Sequence, residues 1–460
     1  MNQQTTATGE PTAEGGCQIL TPAERQKINT LLRHWVVPAI GCTEPICVAL
    51  AVSRATELLG TSPARIEAHL SANILKNAMG VGIPGTGMVG LPIAIALGAL
   101  IGHSEYGLEV LRDCNAEAVE RGKAYIAEER IQVELKADTK EKLYVEIVCH
   151  AEDGHQSKAV IAREHTNFVY LSKDDEVELD RLAELNAAAQ PASGEKKPDT
   201  QLHLTLRKVY EYAMTAPIED IEFIKEAKRL NEAAAQNSLK GNYGHCLGKV
   251  LTRPLGKGIM GESIFSHILS STSSACDARM AGAMIPVMSN SGSGNQGICA
   301  TNPVVVFAEE NHNTEEETLR ALILSHLTAI YIKLQLGTLS ALCGCVVAAT
   351  GSSCGITYLM GGNYEQLTYA VKNMIANITG MICDGAKPSC ALKLSSGVST
   401  AVLSAMLAMQ GNCVSSVEGI IDEDVDQSIR NLVSIGADAM NETDHLVLDI
   451  MTHKSACDRC

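Results

Sequence analysis

Glu184–Thr200, ELNAAAQPASGEKKPDT, is the stretch that divides this chain. It is polar and low in complexity, which predicts a surface linker or long loop. Before it the sequence alternates; after it apolar residues recur at helical spacing. RIEAHL (65–70), IQVEL (131–135), LYVEIV (143–148) and KAVIA (158–162) read as strands, with Asp153-Gly154 as a turn between the last two. They predict a small, mostly antiparallel sheet covered by helices from Val89–Glu129. Downstream, helical periodicity runs through Leu202–Met214, Ile218–Gln236, Glu315–Leu336, Tyr364–Ile378, Gly397–Met409, Val425–Met440 and His445–Thr452. The fold class is α+β, predominantly α-helical. Its expected parts are a disordered polar tail (1–20), an N-terminal α+β region carrying Cys42 and the sheet (21–183), the linker (184–200) and a helical domain (201–460).

A chain of 460 residues exceeds what one core usually organises. Hydrophobic residues make up 46% but aromatics only 3%, so bulk must come from small and aliphatic side chains in closely packed helices. A formal charge of −16 offers no basic field for nucleic acid or an anionic membrane and suits a small-molecule substrate. The N-terminal residues lack the basic and apolar regions of a signal peptide. Met88–Ile101, the most apolar run, is too short to span a bilayer and contains Pro92 and Gly98. The expected location is the cytoplasm, where the 16 cysteines would be reduced thiols, most of them packing and some serving as ligands.

Cys383-Asp-Gly-Ala-Lys-Pro-Ser-Cys390 must be a loop, because Gly385 and Pro388 interrupt it, and a loop lets two sulfurs curl around one centre. Cys343-Gly344-Cys345 offers a third ligand. The spacing leaves iron–sulfur, zinc and ordinary buried thiols open. Cys42 precedes a helix that starts near Pro45, where the dipole is expected to lower the thiol pKa and favour a nucleophile or general base; a cysteine buried at a cap is the alternative. Ser289–Gly297, SNSGSGNQG, reads as turns, either presenting amides and hydroxyls to an anion such as a substrate carboxylate or serving structure alone. Arg279 offers a carboxylate clamp, against the usual fate of pairing with Asp277 or another acid. His267 and His326 read as core histidines, and the Cys457–Cys460 tail as a frayed chain end.

GCTEP (41–45), SANILKNAMGVGIPGTGMVGLPIA (71–94), DARMAGAMIPVMSNSGSGNQGI (277–298), LSALCGC (339–345) and GMICDGAKPSCALK (380–393) together resemble the L-cysteine desulfidase family. That family is also grouped with the α-chain of iron–sulfur-dependent L-serine dehydratases. The resemblance spans nearly the whole chain from residue 21. It implies a helical C-terminal domain like that α-chain and a [4Fe-4S] enzyme that converts L-cysteine and water to pyruvate, ammonia and sulfide. Cys343, Cys383 and Cys390 would then hold the cluster, with Cys345 competing for the first position, and Cys42 would be the base. In related dehydratases a C-terminal cysteine can supply a fourth ligand, a role open to Cys457 or Cys460. By chemistry, Asn290, Ser291, Ser293 and Asn295, with Asn73, Lys76 and Arg279, are the expected carboxylate anchors. L-Serine as substrate and a non-catalytic iron–sulfur sensor or carrier are the competing readings. The small buried residues also suit a homodimer.

Overall fold

The alternating segments form strands in one layer, and the periodic segments form helices in another. The computed structural model describes residues 20–136, 138–183, 202–337 and 340–453. The expected linker and the Cys457–Cys460 tail lie outside the described residues. In the N-terminal half the order is α1 (Pro22–Trp35), β1 (Pro38–Ile40), α2 (Thr43–Leu59), β2 (Arg65–Leu70), α3 (Ala72–Ala78), α4 (Leu91–Ile101) and α5 (Ala116–Ala127). Strands β3 (Ile131–Leu135), β4 (Tyr144–His150), β5 (Gln156–Ala162), β6 (Phe168–Lys173) and β7 (Glu176–Asp180) follow.

The sheet order is β3-β2-β4-β5-β6-β7, and every neighbouring pair is antiparallel except β2–β3. That exception follows from the connection, because α3, α4 and α5 carry the chain from β2 to β3 and restart it in the same direction. Helix α2 packs on β4 and β5 and against α4, enclosing a core of Val48, Leu50, Ile66, Ile93, Ile95, Val145 and Ile161.

The helical half contains α6 (Leu206–Thr215), α7 (Ile218–Ile221), α8 (Lys225–Lys240), α9 (Leu247–Leu251), α10 (Pro254–Met260) and α11 (Ile264–Met280). A short strand β8 (Pro286–Met288) precedes α12 (Gly294–Glu310), α13 (Glu315–Leu336) and α14 (Gly344–Leu359). Then come α15 (Tyr364–Ile378), α16 (Cys390–Met409), α17 (Val425–Ser434) and α18 (Asn441–Thr452). Helix α13 starts in a capping box, Thr314 with Glu317, and is buried along most of its length. It packs on α14, which packs in turn on α12, α15 and α16. The hydroxyls of Thr350, Ser353 and Thr357 in α14 bond back to carbonyls three or four residues earlier, so a buried helix rich in small polar residues leaves them satisfied.

By length and composition alone α13 and α16 could cross a membrane, but 83% of the apolar window of α13 and 50% of that of α16 is buried within the protein. Helix α1 also packs into the helical core, through Ile28 and Leu32. Helix α2 joins the layers: Cys42 at its start lies in the helical core and its body lies in the sheet core.

Candidate active site

Two small antiparallel clips bring distant segments together. Strands β1 and β8 pair with Pro38 opposite Met288 and Ile40 opposite Pro286. Just past the ends of these strands stand Cys42 and the Ser289 turn, and the Thr43 hydroxyl reaches the Gly292 carbonyl at 2.9 Å. The second clip pairs Leu342 with Ile382; Cys343 N–H donates to the Met381 carbonyl at 2.9 Å and Cys383 N–H to that of Ala341 at 2.6 Å. Two cysteines forty residues apart are thereby fixed side by side. Cys390 closes the set as the first residue of α16.

The loop between Cys383 and Cys390 is held from several directions. Gly385 has φ +89°, and a Cβ there would stand 2.3 Å from the Lys76 carbonyl oxygen, so glycine is required twice over. Lys387 and Lys393 both pair with Asp384, and Lys393 Nζ also donates to the Ile382 carbonyl at 2.6 Å.

These segments enclose a cavity of about 100 Å³. Cys42, Glu44, His165 and Arg279 line it together with Ser291, Ser293, Asn295 and Gln296, and Cys343, Cys345, Cys383, Cys390 and Lys333 also reach its wall. Four helix N-termini meet there, those of α2, α12, α14 and α16, an arrangement that favours anions and thiolates.

Cys343 differs from Cys345 in what its sulfur does, while Cys390 Sγ donates to the Gly385 carbonyl at 3.7 Å. Cys343 caps α14 with no side-chain cap bond, and burial together with the neighbouring Cys345 and Cys383 pushes its thiol well up. Burial also raises Cys390. Crowded thiols repel one another's charge, so they ionise together only against a cation that neutralises them. Cys345 sits inside the first turn of α14, donates to the Lys393 carbonyl at 3.2 Å, and lies where a Cβ on Gly397 would be 2.4 Å from its sulfur. It is therefore packed into helix contacts, and Cys343 carries the freer thiol. Among the described residues no three of His, Cys, Asp or Glu close on a point as a single metal ion needs. Cys343, Cys383 and Cys390 are thiols on one cavity wall, and thiolates are the ligands that iron–sulfur clusters take.

Arg279, at the end of α11, is 3% exposed; its Nε has no hydrogen-bond partner and it makes no ion pair among the described residues, although Glu44 feels its charge. The expected partner, Asp277, instead accepts from the Gly248 N–H at 3.3 Å. A Cβ on Gly294 would sit 2.2 Å from Arg279 Nε, so the guanidinium lies against the N-terminus of α12. An unpaired buried guanidinium calls for an anion.

The Ser289–Gly297 segment divides. Residues 289–293 are a turn, while Gly294–Gly297 form the first turn of α12 with Ser293 as its cap. Ser291, Ser293 and Asn295 reach the cavity. Asn290 does not: its amide donates to Nδ1 and to the carbonyl of His326, both at 3.1 Å. Asn73 and Lys76 are also absent from the wall; buried Lys76 pairs with Asp444 of α18 and donates to the Cys383 carbonyl at 3.3 Å. His326 is the core histidine expected from sequence, with Nε2 2.9 Å from Thr301 Oγ1. His267 bonds Glu310 near the surface instead of packing in the core.

The expectation for Cys42 also needs correction. The Cys42 thiol is not lowered by its helix end, because burial and the adjacent Glu44 charge push it well up, against a smaller opposing effect of Arg279. Sequence reasoning also passed over Glu44, His165, Lys333 and Gln296. Burial pulls Lys333 down to about 8 against the neighbouring Cys383 and Cys343. Glu44 stood inside the quoted GCTEP motif, whereas nothing local marks His165 in the turn between β5 and β6.

The model of the serine dehydratase alpha chain matches residues 105–449. The chain belongs to the serine dehydratase alpha-chain family. Relatives named UPF0597 protein extend the likeness over the Cys42 region. That of Bacteroides thetaiotaomicron is 67% identical over 435 residues, covering 95% of this chain and 99% of its own. The Porphyromonas gingivalis protein is 54% identical over 430 residues, 94% of this chain and 99% of its own. The Shewanella halifaxensis protein is 45% identical over 427 residues, 91% and 96%. Within this serine dehydratase-like chain all thirteen cysteines among the described residues are free thiols.

Proposed function

We propose that this protein is a [4Fe-4S]-dependent carbon–sulfur lyase of the reducing cytoplasm that converts L-cysteine and water to pyruvate, ammonia and sulfide. One observation carries the reading: Cys343, Cys383 and Cys390 share a cavity wall with an unpaired, buried Arg279 and with Cys42. Cys343, Cys383 and Cys390 would hold the cluster, and Cys345 stays engaged in helix packing. When bound, the cluster supplies a Lewis-acidic iron that makes the substrate sulfur a better leaving group.

The rest is work for the chain's own residues. Arg279 binds the substrate carboxylate, assisted by the cap hydroxyl of Ser293 and the amides that start α12. Cys42, as thiolate, removes the proton from Cα. Burial of the site limits water while the C–S bond breaks. The aminoacrylate then tautomerises to an imine, which water hydrolyses to pyruvate and ammonia.

The matching family model is that of a serine dehydratase, which favours a second reading with L-serine as substrate and hydroxide as leaving group. Anaerobic reconstitution with iron and sulfide, followed by parallel assays of sulfide from L-cysteine and pyruvate from L-serine, separates the two. Faster turnover of L-cysteine is expected. Faster L-serine turnover would install the second reading, and a loaded protein inert to both would end the lyase reading.

A further inference from the structure

Glu44 is an acid at 9% exposure, in a wall that also holds thiols, amides, hydroxyls and the cations Arg279 and Lys333. Burying a carboxylate is unfavourable unless donors or cations compensate it. It forms no ion pair among the described residues. Cys42 Sγ donates to its Oε2 at 2.9 Å, and the Thr43 hydroxyl lies 3.1 Å from the same oxygen. Thr43 has one proton to divide between Glu44 and the Gly292 carbonyl at 2.9 Å, so the thiol is the steadier donor. The thiol that should act as base is therefore a hydrogen-bond donor at rest, and the oxygen it points at belongs to a carboxylate.

We propose that Glu44 is the proton acceptor that activates Cys42. This rests on the lyase reading above. When an amino acid occupies the site, the S–H bond of Cys42 breaks and its proton passes to Glu44 Oε2, leaving a thiolate. The thiolate takes the Cα proton and becomes a thiol again. The Cα–H electron pair becomes the C=C bond, and the C–S pair departs with sulfur. The proton left on Glu44 balances the one that the expelled sulfide takes up. No oxidant or reductant enters. Glu44 is thus a positioning residue that acts through Cys42.

The surroundings fit an acceptor that holds a proton only in passing. Burial raises the Glu44 carboxyl, but His165 when charged, the Cys42 hydrogen bond, a backbone N–H and Arg279 together hold it below the ordinary carboxylate value; burial lowers His165 in turn, so the thiol, the backbone N–H and Arg279 are the steadier support. Titratable and charged groups face it from every side: Cys47 from α2, His165 from the β5–β6 turn, Arg279 from α11 and Lys333 from α13. His165 is itself buried, and its Nε2 has no hydrogen-bond partner.

The test uses full-length reconstituted wild type, Glu44→Gln and Glu44→Asp. Two quantities are measured: kcat for sulfide release at matched iron content, and the pH midpoint for alkylation of Cys42 by iodoacetamide, followed by mass spectrometry without substrate. Glu44→Gln is expected to lower kcat by about 100-fold or more. It should also move the alkylation midpoint down by about one pH unit or more, because a negative neighbour is gone. Activity and thiol reactivity then move in opposite senses at unchanged iron content, which a merely structural role would not produce. Glu44→Asp should recover about tenfold of the lost rate. A Glu44→Gln kcat within about threefold of wild type overturns the proposal. If Glu44→Gln fails to hold iron, Glu44→Asp decides by the same two readings. Should wild type release neither sulfide nor pyruvate, the lyase reading fails separately, and an unshifted alkylation midpoint would still sink the Cys42–Glu44 link.

Discussion

Cys42 and Cys343 occupy the same local position, each the cap of a buried helix with no side-chain cap bond, on the wall of one cavity. Their surroundings differ. Cys343 faces other thiols across the clip that joins Leu342 to Ile382, whereas Cys42 donates to a carboxylate two residues along its own chain. The helix end is common to both, so it cannot be what sets their chemistry. The lesson is that a capping thiol becomes a ligand or a proton-transfer group according to the charges packed against it.

The sharpest way to break this comparison is to remove the sulfurs singly. Cys343→Ser, Cys383→Ser and Cys390→Ser should each lose most of the iron and all detectable turnover, while Cys345→Ser keeps its iron; iron analysis and visible absorbance after anaerobic reconstitution check this. Retention of iron by Cys343→Ser with its loss in Cys345→Ser would exchange the two assignments. On the other wall, Cys42→Ala should keep the cluster absorbance and lose about 10²- to 10⁴-fold in kcat. Full turnover in that variant would remove Cys42 from the chemistry.

Two buried cations extend the contrast. Lys76 is spent on Asp444, so Lys76→Met should strand a buried carboxylate and cost about 3–5 kcal/mol in denaturant unfolding, with KM unchanged in the folded enzyme. Arg279 has no such partner. Arg279→Lys should leave stability nearly unaltered and raise KM for the amino acid about 10- to 100-fold, because a planar fork is replaced by a point donor. A pH effect comes from His326, whose pKa burial lowers from 6.5 to about 3. A histidine kept neutral in the fold contributes stability that is complete above pH 6.5 and is lost as pH falls from there toward 3. Unfolding at stepped pH should show that loss, and His326→Gln should flatten it.

Much of the frame was legible in the residues. The strands at 65–70 and 131–135 and the helices at 315–336 and 364–378 stand where period and caps put them. The thiol loop was legible too, because Gly385 and Pro388 forbid a helix through it. Helices α11, α12 and α14 were not. They are buried nearly all round, with small polar residues on faces that pack inward, so no solvent-facing polar stripe remains to give a period. Strand β7, EVELD, was not legible because acidic residues fill its alternate positions, whereas β6, FVYLSK, has strand-forming residues and was missed without such a reason.

At the site, residue types and local shapes follow from short stretches of chain: a thiol at a helix start, a thiol loop, a glycine-rich turn and an arginine. Which of these meet depends on the packing of distant segments. Clips β1–β8 and Leu342–Ile382 join segments far apart in the chain, and burial then sets each charge by its neighbours. That is why Arg279 is free while Lys76 is paired, why Asn290 serves His326, and why Cys42 rests protonated against Glu44. Local sequence fixes the backbone's choices, but the charge state of a buried group depends on atoms that the chain brings in from elsewhere.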